Sequence, residues 1–186
     1  MTGFAKRGER EVHRGHVISV GVGSFVAPDG TEFERDLVHH PGAVSVVPLL
    51  DGGVVVLVRQ YRAPVDDYLL EIPAGKRDVV GEEPIVTAHR ELAEEVGLLA
   101  DRIELLAEFY NSPGFSDEHS YTYLARGLHE TATKPDGIEE HSMEIERVPL
   151  AAVPSLIEAG EITDAKTIIG LMMTRERLAN PPATTS

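Results

Sequence analysis

Residues 82–98 read EEPIVTAHRELAEEVGL, and how this stretch folds decides the architecture around it. Ile85, Ala88, Leu92 and Val96 recur at helical spacing. Pro84 suits a first helical position and Gly97 a C-cap, so the pattern predicts a helix between them. At about 100° per residue, Arg90 and Glu94 fall on the side away from the apolar stripe. Glu95 lies only about 60° from the stripe's centre and Glu91 about 100°, at the shoulder of the buried face. Carboxylates three and four apart on a helix repel one another. When they are also partly desolvated, they call for a positive charge between them. A hard divalent cation such as Mg²⁺ supplies it, binding through one or two carboxylates, retained waters and substrate phosphates. Read in isolation, the helix is equally an exposed acidic face.

Outward from the helix the chain reads mostly as strands. Val17–Val26 and Thr31–Val38 flank Pro28-Asp29-Gly30, a turn signal that predicts an N-terminal antiparallel β-hairpin. Ala43–Leu50 and Val54–Tyr61 flank Asp51-Gly52-Gly53 and predict a second hairpin. Tyr68–Ile72 is a short strand running into the turn Pro73-Ala74-Gly75. Beyond the helix, Ile103–Tyr110 and His119–Ala125 are strand-like, separated by the turn residues Asn111-Ser112-Pro113-Gly114. Thr131–His141 reads as a polar loop, Met143–Val148 as a last strand, and Leu150–Ala159 and Ala165–Leu178 as helices. The pattern reads as a mixed α+β or α/β sandwich with one carboxylate-rich helix in its middle. The expected organisation is an N-terminal β region at 1–40, a main domain at 41–178 and a disordered tail at 179–186.

At 186 residues the chain can bury a real core in one domain. It has no cysteine, which excludes disulfides and thiolate metal sites and suits a reducing cytoplasm. The longest apolar run, Val54–Val58, is too short to span a bilayer, and the N-terminus lacks the apolar stretch of a signal peptide. Lys plus Arg number 17 against 31 Asp plus Glu, a formal net charge of −14. Such a surface repels nucleic-acid backbones. An anionic small substrate then needs metal ions or local arginines to reverse the field at its site. The expected setting is therefore cytoplasmic, with no nucleic-acid or membrane partner.

Gly75 through Leu98 resembles the signature box of the Nudix hydrolases. That pattern is a glycine, five residues, Glu, seven residues, then Arg-Glu-aliphatic-x-Glu-Glu-x-Gly-aliphatic. Glu82, Arg90, Glu91, Leu92, Glu94, Glu95, Gly97 and Leu98 match in spacing, while six residues rather than five separate Gly75 from Glu82. The resemblance implies an α+β fold, an α/β/α sandwich with a Nudix-like mixed sheet between helices, and Mg²⁺- or Mn²⁺-dependent hydrolysis of a nucleoside diphosphate linked to another group. It implies Glu91 and Glu95 as main metal ligands, joined by the Ala74 carbonyl, with Glu94 auxiliary and Arg90 orienting a neighbouring glutamate. Gly75, Glu82 and Gly97 are structural positions of the same box.

Features outside the box resemble the ADP-ribose pyrophosphatase branch. They are Pro113, fifteen residues beyond Leu98, then Phe115-Ser116-Asp117-Glu118, Arg59-Gln60-Tyr61-Arg62 and Leu70-Glu71-Ile72-Pro73-Ala74-Gly75. This implies that Arg62 contacts the pyrophosphate. It also implies that Ser112, Pro113, Gly114, Glu118 and Arg35 contact substrate, some of them across a homodimer. The water-activating base would be Glu140, or else its neighbour Glu139. The eight histidines show no metal-ligand spacing. The implied reaction is cleavage of ADP-ribose to AMP and ribose 5-phosphate. The rivals are the same chemistry on ADP-glucose or GDP-mannose, and a non-catalytic nucleotide-sugar sensor.

Overall fold

The computed structural model describes residues 3–133 and 142–181. The chain forms two compact units, Met1–Gly42 with Phe109–His119, and Ala43–Glu108 with Ser120–Ser186.

The first unit is built on a three-stranded antiparallel sheet in the order β1-β2-β3. β2 (Ser19–Val26) and β3 (Glu32–His39) form the expected hairpin. Its turn is closed by Asp29, whose Oδ1 accepts from the Thr31 amide at 2.9 Å. Gly30 supplies the positive φ of 88°. β1 (Ala5–Arg14) is a strand that hydrophobic patterning does not announce. All ten of its residues are exposed, so no apolar alternation marks it. It is an edge strand rich in Lys, Arg and Glu, with register shifts between Lys6 and Gly8 and between Glu11 and His13. Charge and bulges both discourage pairing of a bare edge with another chain.

The second unit contains a seven-stranded mixed sheet in the order β10-β5-β4-β9-β8. β4 (Ala43–Leu50) and β5 (Val54–Arg62) are runs of β-branched and aliphatic residues, buried along most of their length. β4 pairs with β9 (His119–Glu130) in parallel. With β5 it pairs only beside the Asp51–Gly53 turn, at Leu49↔Val55 and Leu50↔Val54. Beyond that the hairpin splays. β6 (Asp67–Glu71) attaches to β5, and β7 (Ala74–Lys76) attaches to β4 through Val44↔Gly75 and Ser45↔Ala74. The expected Pro73-Ala74-Gly75 turn is therefore a step from one strand of the open hairpin to the other, ending in a short strand. Its backbone pairs because β5 has left that edge of β4 vacant. The Pro73 carbonyl takes the Val46 amide at 2.9 Å. β8 (Leu98–Tyr110) and β10 (Glu144–Pro149) complete the sheet.

α1 (Pro84–Val96) covers one face, packing Ala88, Leu92 and Val96 on Val44, Val46, Val56 and Val58. The other face carries Val47, Val55, Leu57 and Leu124. It is covered from a short 3₁₀ turn (Leu150–Ala152), α2 (Val153–Glu158) and α3 (Ala165–Ala179), through Leu150, Val153 and Leu171. Alternate residues of each strand thus feed two cores, as an α/β/α sandwich requires. The tail expected from 179 begins inside α3, and its residues 182–186 lie outside the described residues. Among the described residues no helix is long and apolar enough to cross a membrane. Leu92 is fully buried, so Leu92→Ala should lower stability by about 2–5 kcal/mol, read as a lower urea midpoint at unchanged m-value.

Candidate active site

α1 begins with Pro84 at its first turn and ends at Gly97 in the left-handed region, φ 63° and ψ 39°. A side chain at Gly97 would press on the Thr131 carbonyl, whose own amide donates to the Gly97 carbonyl at 2.8 Å. Register is therefore fixed at both ends. It places Glu91 and Glu95 on the buried face, 7% and 6% exposed, and leaves the Glu94 side chain a third exposed.

Both buried carboxylates are seated on the step between β6 and β7. Glu95 Oε2 accepts from the Ala74 amide at 2.9 Å. The Glu91 carboxylate lies directly against the Cα of Gly75, where any side chain would take its place. Gly75 is thus required by close approach rather than by a positive φ. The hairpin splay, the three-residue β7 and the bare glycine together open a slot for these two groups.

Arg90 gathers three carboxylates of the box. Its Nη1 lies 2.8 Å from Glu91 Oε1 and 2.9 Å from Glu94 Oε2, and its Nη2 3.4 Å from Glu82 Oε2. Burial works against its charge, but Glu91, Glu94 and Glu82 more than offset that and raise its pKa. Glu82 also accepts from the Thr87 hydroxyl at 2.7 Å, the main cause of its lowered pKa, so the chain two residues ahead of the helix is tied to the helix's first turns.

Nearby, Arg62 donates from Nε and Nη2 to both oxygens of Glu71, each at 2.8 Å. Glu71 is 1% exposed, and this fork holds the guanidinium in one orientation. The pairing with Glu71 is also the leading cause of Arg62's raised pKa, with smaller contributions from Asp164 and Glu95. Lys166 Nζ lies 2.7 Å from Asp164 Oδ1 and 3.9 Å from Glu71 Oε2. Asp164 caps α3 by accepting from the Thr167 amide and hydroxyl, and that hydroxyl accepts from the Ile72 amide at 3.0 Å. Glu71, Asp164 and Lys166 were not singled out in the sequence. A usable signal existed for Glu71, a charge between Leu70 and Ile72 in a buried strand, which must be paired.

Of the other residues singled out, Arg35, Ser112, Pro113, Gly114 and Glu118 all belong to the first unit. Arg35 stacks its guanidinium 4.6 Å from the centre of the Phe33 ring, which itself stacks on Phe25 at 5.5 Å. These three, with Leu37, Pro113 and Phe115, line a cleft of about 420 Å³. The loop from Ser112 turns back on itself, the Ser112 carbonyl accepting from the amides of Phe115 and Ser116. It is strapped to β3 by Val38 N–H to the Phe115 carbonyl, 2.8 Å, and Asp117 N–H to the Val38 carbonyl, 3.1 Å. Glu139 and Glu140 lie outside the described residues.

As they stand, no three His, Asp or Glu side chains among the described residues enclose a cation. Two buried carboxylates beside main-chain amide groups offer hard oxygen donors, with no sulfur or imidazole among them. Such a set fits Mg²⁺ or Mn²⁺ completed by waters and substrate phosphates, and does not fit an all-protein cage.

The chain's residues 39–169 match the family model for the NUDIX domain. It is 39% identical to an ADP-ribose pyrophosphatase of Bacillus subtilis over 86% of this chain and 85% of that protein. It is 36% identical to a methanol dehydrogenase activator of Bacillus methanolicus over 87% and 86%. A crystal structure of an ADP compounds hydrolase superposes with a TM-score of 0.85 over 96% of each chain at 24% identity, which shows a shared fold. On its sequence match and on the carboxylate helix just described, the chain belongs to the NUDIX domain family.

Proposed function

We propose that the protein hydrolyses ADP-ribose to AMP and ribose 5-phosphate, using Mg²⁺ or Mn²⁺. The observation that carries the reading is the pair of buried carboxylates, Glu91 and Glu95, seated on Ala74 and Gly75 at the mouth of the splayed hairpin. The B. subtilis relative's name supports ADP-ribose as the substrate. A divalent cation bound there polarises a phosphoryl oxygen and offsets the substrate's charge. Glu91 and Glu95 hold it with the Ala74 carbonyl, and Glu94 assists from the exposed side. Arg90 holds Glu91 and Glu94 in place. Arg62, oriented by Glu71, points its remaining N–H donors at the pyrophosphate, which suits a planar, always-charged fork. Glu140 accepts the proton of the attacking water.

In the first unit, the Phe25–Phe33 stack beneath Arg35 suits a flat nucleobase, with Ser112, Pro113, Gly114 and Glu118 as further substrate contacts. We place residues 1–40 as a dimer-forming β region of a cytoplasmic homodimer, with 41–178 as the hydrolase domain. The exposed apolar side chains Phe4, Val12, Val17 and Ile18 of that region support an interface there.

The deciding experiment is a panel of ADP-ribose, ADP-glucose, GDP-mannose, dinucleoside polyphosphates and coenzyme A, each with and without Mg²⁺. ADP-ribose should be hydrolysed fastest and give AMP. Preferred turnover of another member, or turnover independent of the metal, would reject the reading. Gly75→Ala tests the slot itself. The added methyl meets the movable end of Glu91, so stability should change by only about 1 kcal/mol while kcat/KM falls at least about tenfold. Unaltered kinetics would remove Gly75 from the site.

A further inference from the structure

The odd-numbered face of the N-terminal hairpin carries a charge arrangement that the proposed chemistry does not use. Ser19, Gly21, Gly23 and Phe25 of β2 stand opposite His39, Leu37, Arg35 and Phe33 of β3. His39 therefore sits on the same face as the Phe33–Arg35 stack, at the far end of its strand. Its Nδ1 lies 2.5 Å from Asp117 Oδ2 and its Nε2 2.7 Å from Glu9 Oε1. A neutral imidazole has one N–H and can donate to only one carboxylate. With an acceptor-only group on each nitrogen, the geometry asks for the doubly protonated ring. Asp117's other oxygen accepts from the His40 amide at 2.9 Å. Glu9 reaches His39 from β1 across β2, passing over Gly21, where a side chain would collide with it. The ring thus joins β1, β3 and the Ser112–Glu118 loop.

We propose that His39 is a positioning residue: as an imidazolium donating to Glu9 and Asp117 together, it clamps the Ser112–Glu118 loop onto β3 and sets the shape of the cleft formed by Phe25, Phe33, Arg35 and Pro113. This rests on the reading of that cleft as part of the substrate site. Other charged or titratable groups near His39 are Lys6, 2.5 Å from Glu9 Oε2, Arg35, which lines the cleft with it, and Arg14, His16 and His40, which line a second hollow with it. Hydrogen bonding to Asp117, then to Glu9, raises the pKa of His39 above its ordinary 6.5. A raised value means that the clamp is intact at lower pH and is lost as pH climbs through it.

The test compares wild type with His39→Gln and Asp117→Asn between about pH 6 and about pH 9. The histidine ring proton resonances report the titration of His39 directly. Asp117→Asn should bring that titration back toward 6.5, and an unmoved titration would overturn the proposal. At about pH 6.5, His39→Gln should raise KM for ADP-ribose about three- to tenfold with kcat within about twofold, the size expected of partly exposed ion pairs. The two proteins should converge at the alkaline end. Equal KM throughout, or a loss confined to kcat, would overturn the clamp. If the wild type does not hydrolyse ADP-ribose, the functional reading fails separately. AMP titrations of the same proteins then decide, and equal AMP affinity of wild type and His39→Gln at about pH 6.5 rejects the clamp.

Discussion

Glu95→Gln is expected to lower kcat/KM for ADP-ribose by about 10²–10³-fold at saturating Mg²⁺. The substitution keeps the shape of the side chain and an oxygen that accepts the Ala74 amide, now held at 2.9 Å, so the fold has no reason to change. What it removes is a negative charge at a position 6% exposed, where charge is worth more than at the surface. Glu91 lies one turn away on the same buried face, so neutralising Glu95 also relieves a like-charge repulsion. Without metal the variant should be at least as stable as wild type by urea unfolding, while Mg²⁺ should stabilise it less than it stabilises wild type. Glu94→Gln provides the contrast. Glu94 is a third exposed and paired with Arg90, and its loss of activity should be clearly smaller. Near wild-type turnover of Glu95→Gln with saturating Mg²⁺ would sink the metal assignment.

Glu140→Gln should reduce kcat by about 10²–10⁴-fold with KM little changed, the pattern of a lost proton acceptor. A glutamine there still hydrogen-bonds water but cannot take its proton. The acid limb of the kcat–pH profile should flatten in the variant. Glu139→Gln is the internal control, since it removes the same charge from the adjacent position. Equal losses from the two substitutions would indicate a general effect of charge at these positions. An unchanged kcat in Glu140→Gln would reject it as the base.

The hydrophobic period alone locates α1, and Ala88, Leu92 and Val96 are buried on the face it declares, while Ile85 in the first turn is 40% exposed. The same angular argument puts Glu91 and Glu95 at its buried shoulder and Glu94 outside, as found. β1 was invisible for the converse reason. Its ten residues are all exposed and carry no apolar alternation, and it is held by backbone pairing with β2. Ala74–Lys76 looked like a turn because Pro and Gly punctuate it. It became a strand because β5 diverges from β4 and leaves that edge open, a fact about two other segments.

Arg62 illustrates the same division at the level of a single side chain. The sequence suggested a phosphate contact, and the structure shows that Glu71 already fixes two of its donors. Glu71 lies nine residues away, and Lys166 and Asp164, which complete that network, lie about a hundred residues further on. His39 and Asp117 are 78 positions apart, and no spacing rule could join them.

By itself, then, the sequence determined the carboxylate helix, the strands buried on both faces and the family to which the chain belongs. Each of these is written in residues close together along the chain, through helical or strand periodicity. The tertiary structure alone decided that Glu91 and Glu95 rest on the step at Ala74–Gly75, that Arg62 is held by Glu71, and that His39 is pinned between two carboxylates. Those contacts join segments brought together by the sheet's crossovers, and sheet pairing places residues side by side without regard to their distance in sequence.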